Sequence, residues 1–155
     1  MHYKYNTGLV DINNQLGGEL TAIGLSTHQG VDFTLYGTKL LTFLALPVVV
    51  SACGRATTSV ETVLLGFTDQ YSFVFEGNVA FFLSHKLIFA GEYKQMPSGF
   101  TPIPGLIGTP SNWWTLALAY IINPHMTVAT GYGHFGTVGN HTANSAWGVA
   151  TKYEF

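Results

Sequence analysis

The sequence predicts an all-β protein: a transmembrane, antiparallel, up-and-down β-barrel with about eight strands in this chain. Three observations carry that expectation. First, only 9% of the 155 residues are charged, while 47% are hydrophobic and 14% aromatic. An ordinary soluble domain has roughly 25% charged residues, so too few remain here to coat a soluble surface. Second, a membrane helix needs about 20 consecutive apolar residues, and the longest apolar run, residues 40–52, contains Thr42, Pro47 and Ser51. Lipid tolerates only helices and closed barrels as spanning structures, which leaves strands. Third, apolar and polar residues alternate over lengths that suit a tilted membrane strand of about 9–11 residues. The chain reads as one domain, residues 1–155.

Taken in order, the first expected strand is short, residues 2–6. The second, 31–43, turns Val31, Phe33 and Leu35 outward, and Lys39 falls on the same face. That lysine calls for a bulge, a snorkel to the rim, or a slip of parity. The third, 48–58, sets Cys53 on the face of Val49, Ser51 and Arg55; being the only cysteine, it forms no intrachain disulfide and reads as a buried small residue. The fourth, 71–83, alternates Tyr71, Phe73, Phe75, Gly77, Val79 and Phe81 with Ser72, Val74, Glu76, Asn78 and Ala80. The fifth, 87–96, sets Leu87, Phe89, Gly91 and Tyr93 against Ile88, Ala90, Glu92 and Lys94. The sixth and seventh are 113–122 and 126–136. The eighth, 145–155, sets Trp147, Val149, Thr151, Tyr153 and Phe155 against Gly148, Ala150, Lys152 and Glu154. In the fourth, fifth and eighth segments the charges share one face with Gly, Ala, Ser and Asn, while the aromatics hold the other. A soluble lipocalin-type barrel has the opposite sidedness.

The connections alternate in length: 44–47, 84–86 and 123–125 are tight, whereas 7–30, 59–70, 97–112 and 137–144 are long. Bacterial outer-membrane barrels have short periplasmic turns and longer outside loops, so the tight turns are assigned to the periplasm. Tyr71, Tyr93, Trp114, Tyr132 and Trp147 then fall near the outer rim, and Phe43, Phe81, Tyr120, Tyr153 and Phe155 near the periplasmic one, as two aromatic girdles require. The terminal Phe155 behind Trp147 and Tyr153 resembles the signal that barrel-assembly machinery reads, with Ala150 where a Gly is common. Residues 1–10 lack the basic and apolar regions of a secretory leader, so the expectation is a mature form or a truncated gene product.

Several segments also carry a family resemblance: HYKYN at 2–6, GVDFTLYGTKLL at 30–41, LLGF at 64–67, FEGNVAFFLSHKLIFAGEYKQMP at 75–97 and MTVATGYGHFGTVGN at 126–140. In this order, before an aromatic-rich strand ending in Phe, they resemble a group of uncharacterised proteobacterial outer-membrane proteins known only as a domain of unknown function. The resemblance implies relatives longer at the N-terminus, carrying a leader and further strands. On that basis the chain is the C-terminal portion of a wider barrel. It implies no activity.

Counting from the tight turns gives a candidate site. Arg55 is eight residues from Pro47, Glu76 eight from Ser84, Lys94 eight from Lys86, and Glu92 six from Lys86. On consecutive strands and one inward face, Arg55, Glu76, Glu92 and Lys94 form a lumen charge layer of formal sum zero. Such pairs fill a narrow lumen or form a selectivity ring in a wider pore. The Pro- and Gly-rich loop 97–112 carries apolar Phe100, Ile103, Leu106 and Ile107, which should not lie free in water. It packs on its own side chains or forms a lid over an entry route for small apolar molecules. Of the six histidines, His28, His134 and His141 lie near outside loops and His85 and His125 in turns. None shows zinc-motif spacing, so no metal and no cofactor is expected.

The expected function is non-enzymatic, in the bacterial outer membrane: passive transport of small apolar molecules, or a membrane scaffold. The expected partners are outer-membrane lipids and the barrel-assembly machinery, with an oligomeric or complex partner left open. The net charge of −2 argues against nucleic acid. The alternatives are a lipid hydrolase or acyltransferase using His134 and Ser145, for which no acid is placed to orient the imidazole, and a subunit of a larger envelope complex.

Overall fold

The structure, a computed structural model, describes residues 1–5, 13–15, 17–18, 21, 24–25, 27–60, 66–96, 101–102, 108–138 and 141–154. Its main body is an eight-stranded antiparallel sheet in the order β1-β2-β3-β4-β5-β6-β7-β10. The strands are β1 His2–Tyr5, β2 Gln29–Leu41, β3 Val48–Val60, β4 Gly66–Phe82, β5 Leu87–Lys94, β6 Trp113–Asn123, β7 Met126–His134 and β10 Ala146–Tyr153. A separate hairpin pairs β8, Gly136–Val138, with β9, His141–Ala143. From β1 to β7 every neighbour in the sheet is a neighbour in the chain, and β10 joins β7 after the inserted β8–β9 hairpin, so the topology is a meander. The sheet is open, with β1 and β10 at its two edges. No helix among the described residues is long and apolar enough to cross a membrane.

The eight expected strands are all present, and the boundaries move where hydrogen-bonding side chains intervene. β3 and β4 run on past the expected start of their loop, so that Ser59 pairs with Phe67 and Val60 with Gly66. A register shift between Thr57 and Ser59 absorbs the irregularity, letting the β-branched run continue. The expected loop 137–144 instead carries the β8–β9 hairpin. Gly136 enters it at φ +57, and a Cβ there would lie 2.2 Å from that of Ser111. Only glycine fits that close approach. The Thr137 amide donates to Ser111 Oγ at 3.3 Å, tying the end of the loop before β6 to the hairpin. The tight turns close with side-chain help: Ser84 Oγ accepts from the amides of Lys86 and Leu87, and Asn123 Oδ1 from that of His125.

Directly paired residues in an antiparallel ladder share a face, and the two faces differ sharply. One carries Phe33, Phe73, Phe75, Tyr93, Trp114, Leu116, Leu118, Tyr120, Trp147 and Val149, all exposed. On β6 each outward residue from Trp114 to Tyr120 is exposed and each intervening one is half-buried. The other face carries the charged residues and most of the small and polar ones, with Tyr36, Leu40, Val74, Phe82, Ile88, Trp113 and Ile121 among them. Among the described residues the buried apolar side chains are Leu25, Val48, Val74 and Met96, and most burial is polar: Asp32, Ser51, Thr57, Thr58, Ser59 and Thr68. Lys39 pairs with Val50 in an unbroken β2–β3 register. It therefore keeps its place on the aromatic face, without a bulge or a slip of parity.

Candidate functional site

Five charged side chains cross the polar face of the first five strands in alternating sign: Lys4 on β1, Asp32 on β2, Arg55 on β3, Glu76 on β4 and Lys94 on β5. The Lys4 ammonium is 2.6 Å from Asp32 Oδ2, and the Arg55 guanidinium is 3.9 Å from the same oxygen. Arg55 is also ion-paired with Glu76, whose Oε1 lies 3.6 Å from Lys94 Nζ. Register explains which side chains are needed. Glu76 and Lys94 are direct cross-strand partners. Arg55 stands opposite Thr34 and Val74, so it meets both carboxylates diagonally, a span that takes a long side chain.

Asp32 anchors the ladder. It is 1% exposed, and a carboxylate taken out of water loses several kcal/mol unless it is paired and hydrogen-bonded. Here Lys4 and Arg55 supply the charge, and the Thr57 hydroxyl donates to Oδ1 at 2.6 Å. The Ser59 amide in turn donates to Thr57 Oγ1 at 3.0 Å, so the β3 register shift places the hydroxyl that Asp32 uses. At the far end Lys94 Nζ lies 5.7 Å from the centre of the Trp113 ring, within cation–π range.

The structure thus brings Arg55, Glu76 and Lys94 together and sets Glu92 one row nearer the tight turns, opposite Asn78 and Thr115. Among the described residues Glu92 makes no ion pair within 4.0 Å. With Tyr36, Ser51, Cys53, Glu76 and Asn78 it lines a hollow of about 100 Å³. Lys4, Asp32 and Thr57 escaped the sequence reading. Asp32 had a signal, since it alternates with outward Val31 and Phe33. Lys4 had none, because β1 has no tight turn from which to count.

Beyond the ladder the polar face loses its bulk. Successive rows across β6, β7 and β10 read Thr115–Gly133–Ala146, Ala117–Gly131–Gly148 and Ala119–Ala129–Ala150. The early half of the face carries the ladder, and these three rows of the late half hold nothing larger than Thr, bounded by Trp113 on one side and by the row Ile121–Thr127–Lys152 on the other.

The other candidate residues lie apart. Trp147 and Tyr153 are exposed on the aromatic face, and Tyr132 packs between Trp114 and Trp147 at ring separations of 5.5 and 5.0 Å. Phe155 lies outside the described residues, as do Phe100, Ile103, Leu106 and Ile107 of the expected lid. The described ends of that loop are tied down, with the Met96 amide donating to Asn112 Oδ1 at 3.0 Å. His134 stands opposite Trp114 on the aromatic face. Its Nδ1–H donates to the Asn144 carbonyl at 3.0 Å, so the imidazole is oriented by backbone rather than by an acid. Among the described residues no three His, Cys, Asp or Glu groups gather as a metal site would require.

A family profile described as a protein of unknown function (DUF3034) matches residues 6–152. The chain belongs to that family. The DUF3034 span takes in the ladder from Asp32 to Lys94 and the whole small-residue wall, while Lys4 precedes it. No curated protein and no solved structure matches the chain.

Proposed function

We propose that this chain forms a bacterial outer-membrane β-barrel that passes small molecules without chemically changing them. The observation that carries the reading is the bare aromatic face, where Leu35, Phe73, Trp147 and Val149 are 69–82% exposed. A soluble sheet buries such a face against a second layer. In a bilayer the same face is already in its solvent, and the clustered Trp114, Tyr132 and Trp147 rings suit an interfacial girdle. The open edges fit the reading if β1 and β10 pair, since hydrocarbon leaves unpaired backbone groups unsatisfied.

Passage rather than a purely scaffolding role is supported by the division of the polar face. A barrel of about eight strands has an interior that ordinary side chains just fill. Closing the sheet would set the three rows of Thr, Ala and Gly on β6, β7 and β10 across from the ion-paired ladder, which leaves room for a small solute. The apolar solute class expected from loop 97–112 rests on residues outside those described. The test is single-channel conductance of the refolded chain in planar bilayers. Discrete steps, from a species whose gel mobility shifts on heating, are the expected result. Silence from the same folded species overturns passage and leaves the scaffold.

A further inference from the structure

Resting on the passage reading, we infer that an apolar collar at the tight-turn end of the polar face selects small, uncharged, largely apolar solutes, which rest in the hollow between Leu40 and Phe82. The argument begins with level. Leu40, Val49, Phe82, Ile88 and Ile121 stand on the consecutive strands β2 to β6, each within two positions of the tight-turn end of its strand. Strand pairing sets all five on the polar face. At the same level β7 and β10 add Thr127 and Lys152, direct partners of each other. Two residues farther from the turns that face holds Thr38, Ser51 and then alanine on each of β4, β5, β6, β7 and β10. The large apolar side chains are thus gathered at one level, away from the ladder.

The interior of a barrel of about eight strands is just wide enough for side chains to fill, so on closure these apolar groups meet across the lumen. A hydrophobic constriction sheds water and bars hydrated ions. The one charged member of the level, Lys152, is 2.6 Å from Glu154. Against the collar lies a hollow of about 520 Å³, lined by Leu40, Leu46, Pro47, Phe82 and Leu83, with Ser84 and His85 as its polar members. It is large beside the roughly 30 Å³ of a water, and no Asp, Glu, Lys or Arg lines it. Ser84 Oγ is already engaged by the amides of Lys86 and Leu87. Such a lining receives an apolar body with few polar groups better than a sugar or an ion.

The test separates apolarity from size. Leu40→Asn and Ile88→Asn nearly keep the side-chain volume and remove its apolar character, whereas Ile88→Leu keeps both. Each refolded full chain, with its gel mobility shifted by heat, is recorded in planar bilayers in KCl. The expected wild-type steps are small, and either Asn variant raises them about tenfold, the rate gained when a barrier falls by about 1.4 kcal/mol. Ile88→Leu leaves them unchanged. Cyclohexanol in the bath is expected to lower the wild-type step and spare the Asn variants, while glycerol at the same concentration lowers neither. The cyclohexanol arm on the unaltered chain stands even where an Asn variant fails to fold. Steps of equal size in wild type and Asn variants, or wild-type steps blind to cyclohexanol, overturn the inference and leave the passage reading standing. Silence in every form overturns both. A silent wild type beside a conducting Asn variant overturns passage in the unaltered chain and supports the collar.

Discussion

Asp32 is the residue on which the polar face turns. It is almost fully buried, yet two cations and a hydroxyl converge on it. Removing one partner of a buried pair costs about 3–5 kcal/mol, chiefly because the remaining charge is left uncompensated. Asp32→Ala should fall near the lower end, about 3 kcal/mol, because Arg55 retains Glu76. Lys4 is the contrast: its side chain is 25% exposed, and Lys4→Met should cost less than about 1 kcal/mol, as partly solvated pairs do. Urea unfolding of the protein in lipid vesicles measures both. Equal losses would mean that the ladder, rather than the buried carboxylate, is the unit of stability. Part of this cluster could be read from the sequence. Arg55, Glu76 and Lys94 sit at equal distances from their tight turns, but the diagonal reach from Arg55 to Asp32 depends on stagger between strands, which turn counting cannot supply.

At the scale of the element, period-two alternation predicted the faces better than the ends. β6 keeps its alternation from Trp114 to Tyr120, and Glu76, Glu92 and Lys94 share the face their parity assigned. The ends of β3 and β4 were set instead by a register shift near Thr57 and Ser59, and the β8–β9 hairpin by the positive φ of Gly136. Both are local backbone features with no periodic signature. The alternation makes a sided prediction within one strand. Leu118 lies on the aromatic face and Ala117 on the small-residue wall. Leu118→Arg should lower stability in vesicles by about 2–4 kcal/mol, the penalty for Arg near the middle of a lipid-facing barrel wall. Ala117→Ser should stay within about 0.5 kcal/mol, since it adds only a hydroxyl to the polar side. Similar values for the two would remove the lipid-facing assignment of this strand.

For the whole molecule, the outstanding question is how an open sheet satisfies its two edges. Its register already points to closure. Lys39, Val50, Val79, Gly91, Leu116, Tyr132 and Trp147 form one row of direct partners. That row begins two residues from the end of β2 and finishes six residues from the end of β10. Such a climb is the stagger that a sheet must have to close as a barrel. The two halves of the polar face also differ in bulk along their middle rows: Tyr36, Leu40 and the ladder stand on the early strands, and Ala and Gly on the late ones between Trp113 and Ile121. Curling the sheet until β1 meets β10 would set large side chains over small ones and pair the exposed edges. Amide hydrogen exchange in vesicles decides this. With closure, amides of residues 2–5 and of the β10 residues opposite them exchange slowly on both sides of each strand. If every second amide in β10 stays fast, its outer edge is unpaired, and the sheet would then have to find another way to satisfy that edge in a membrane.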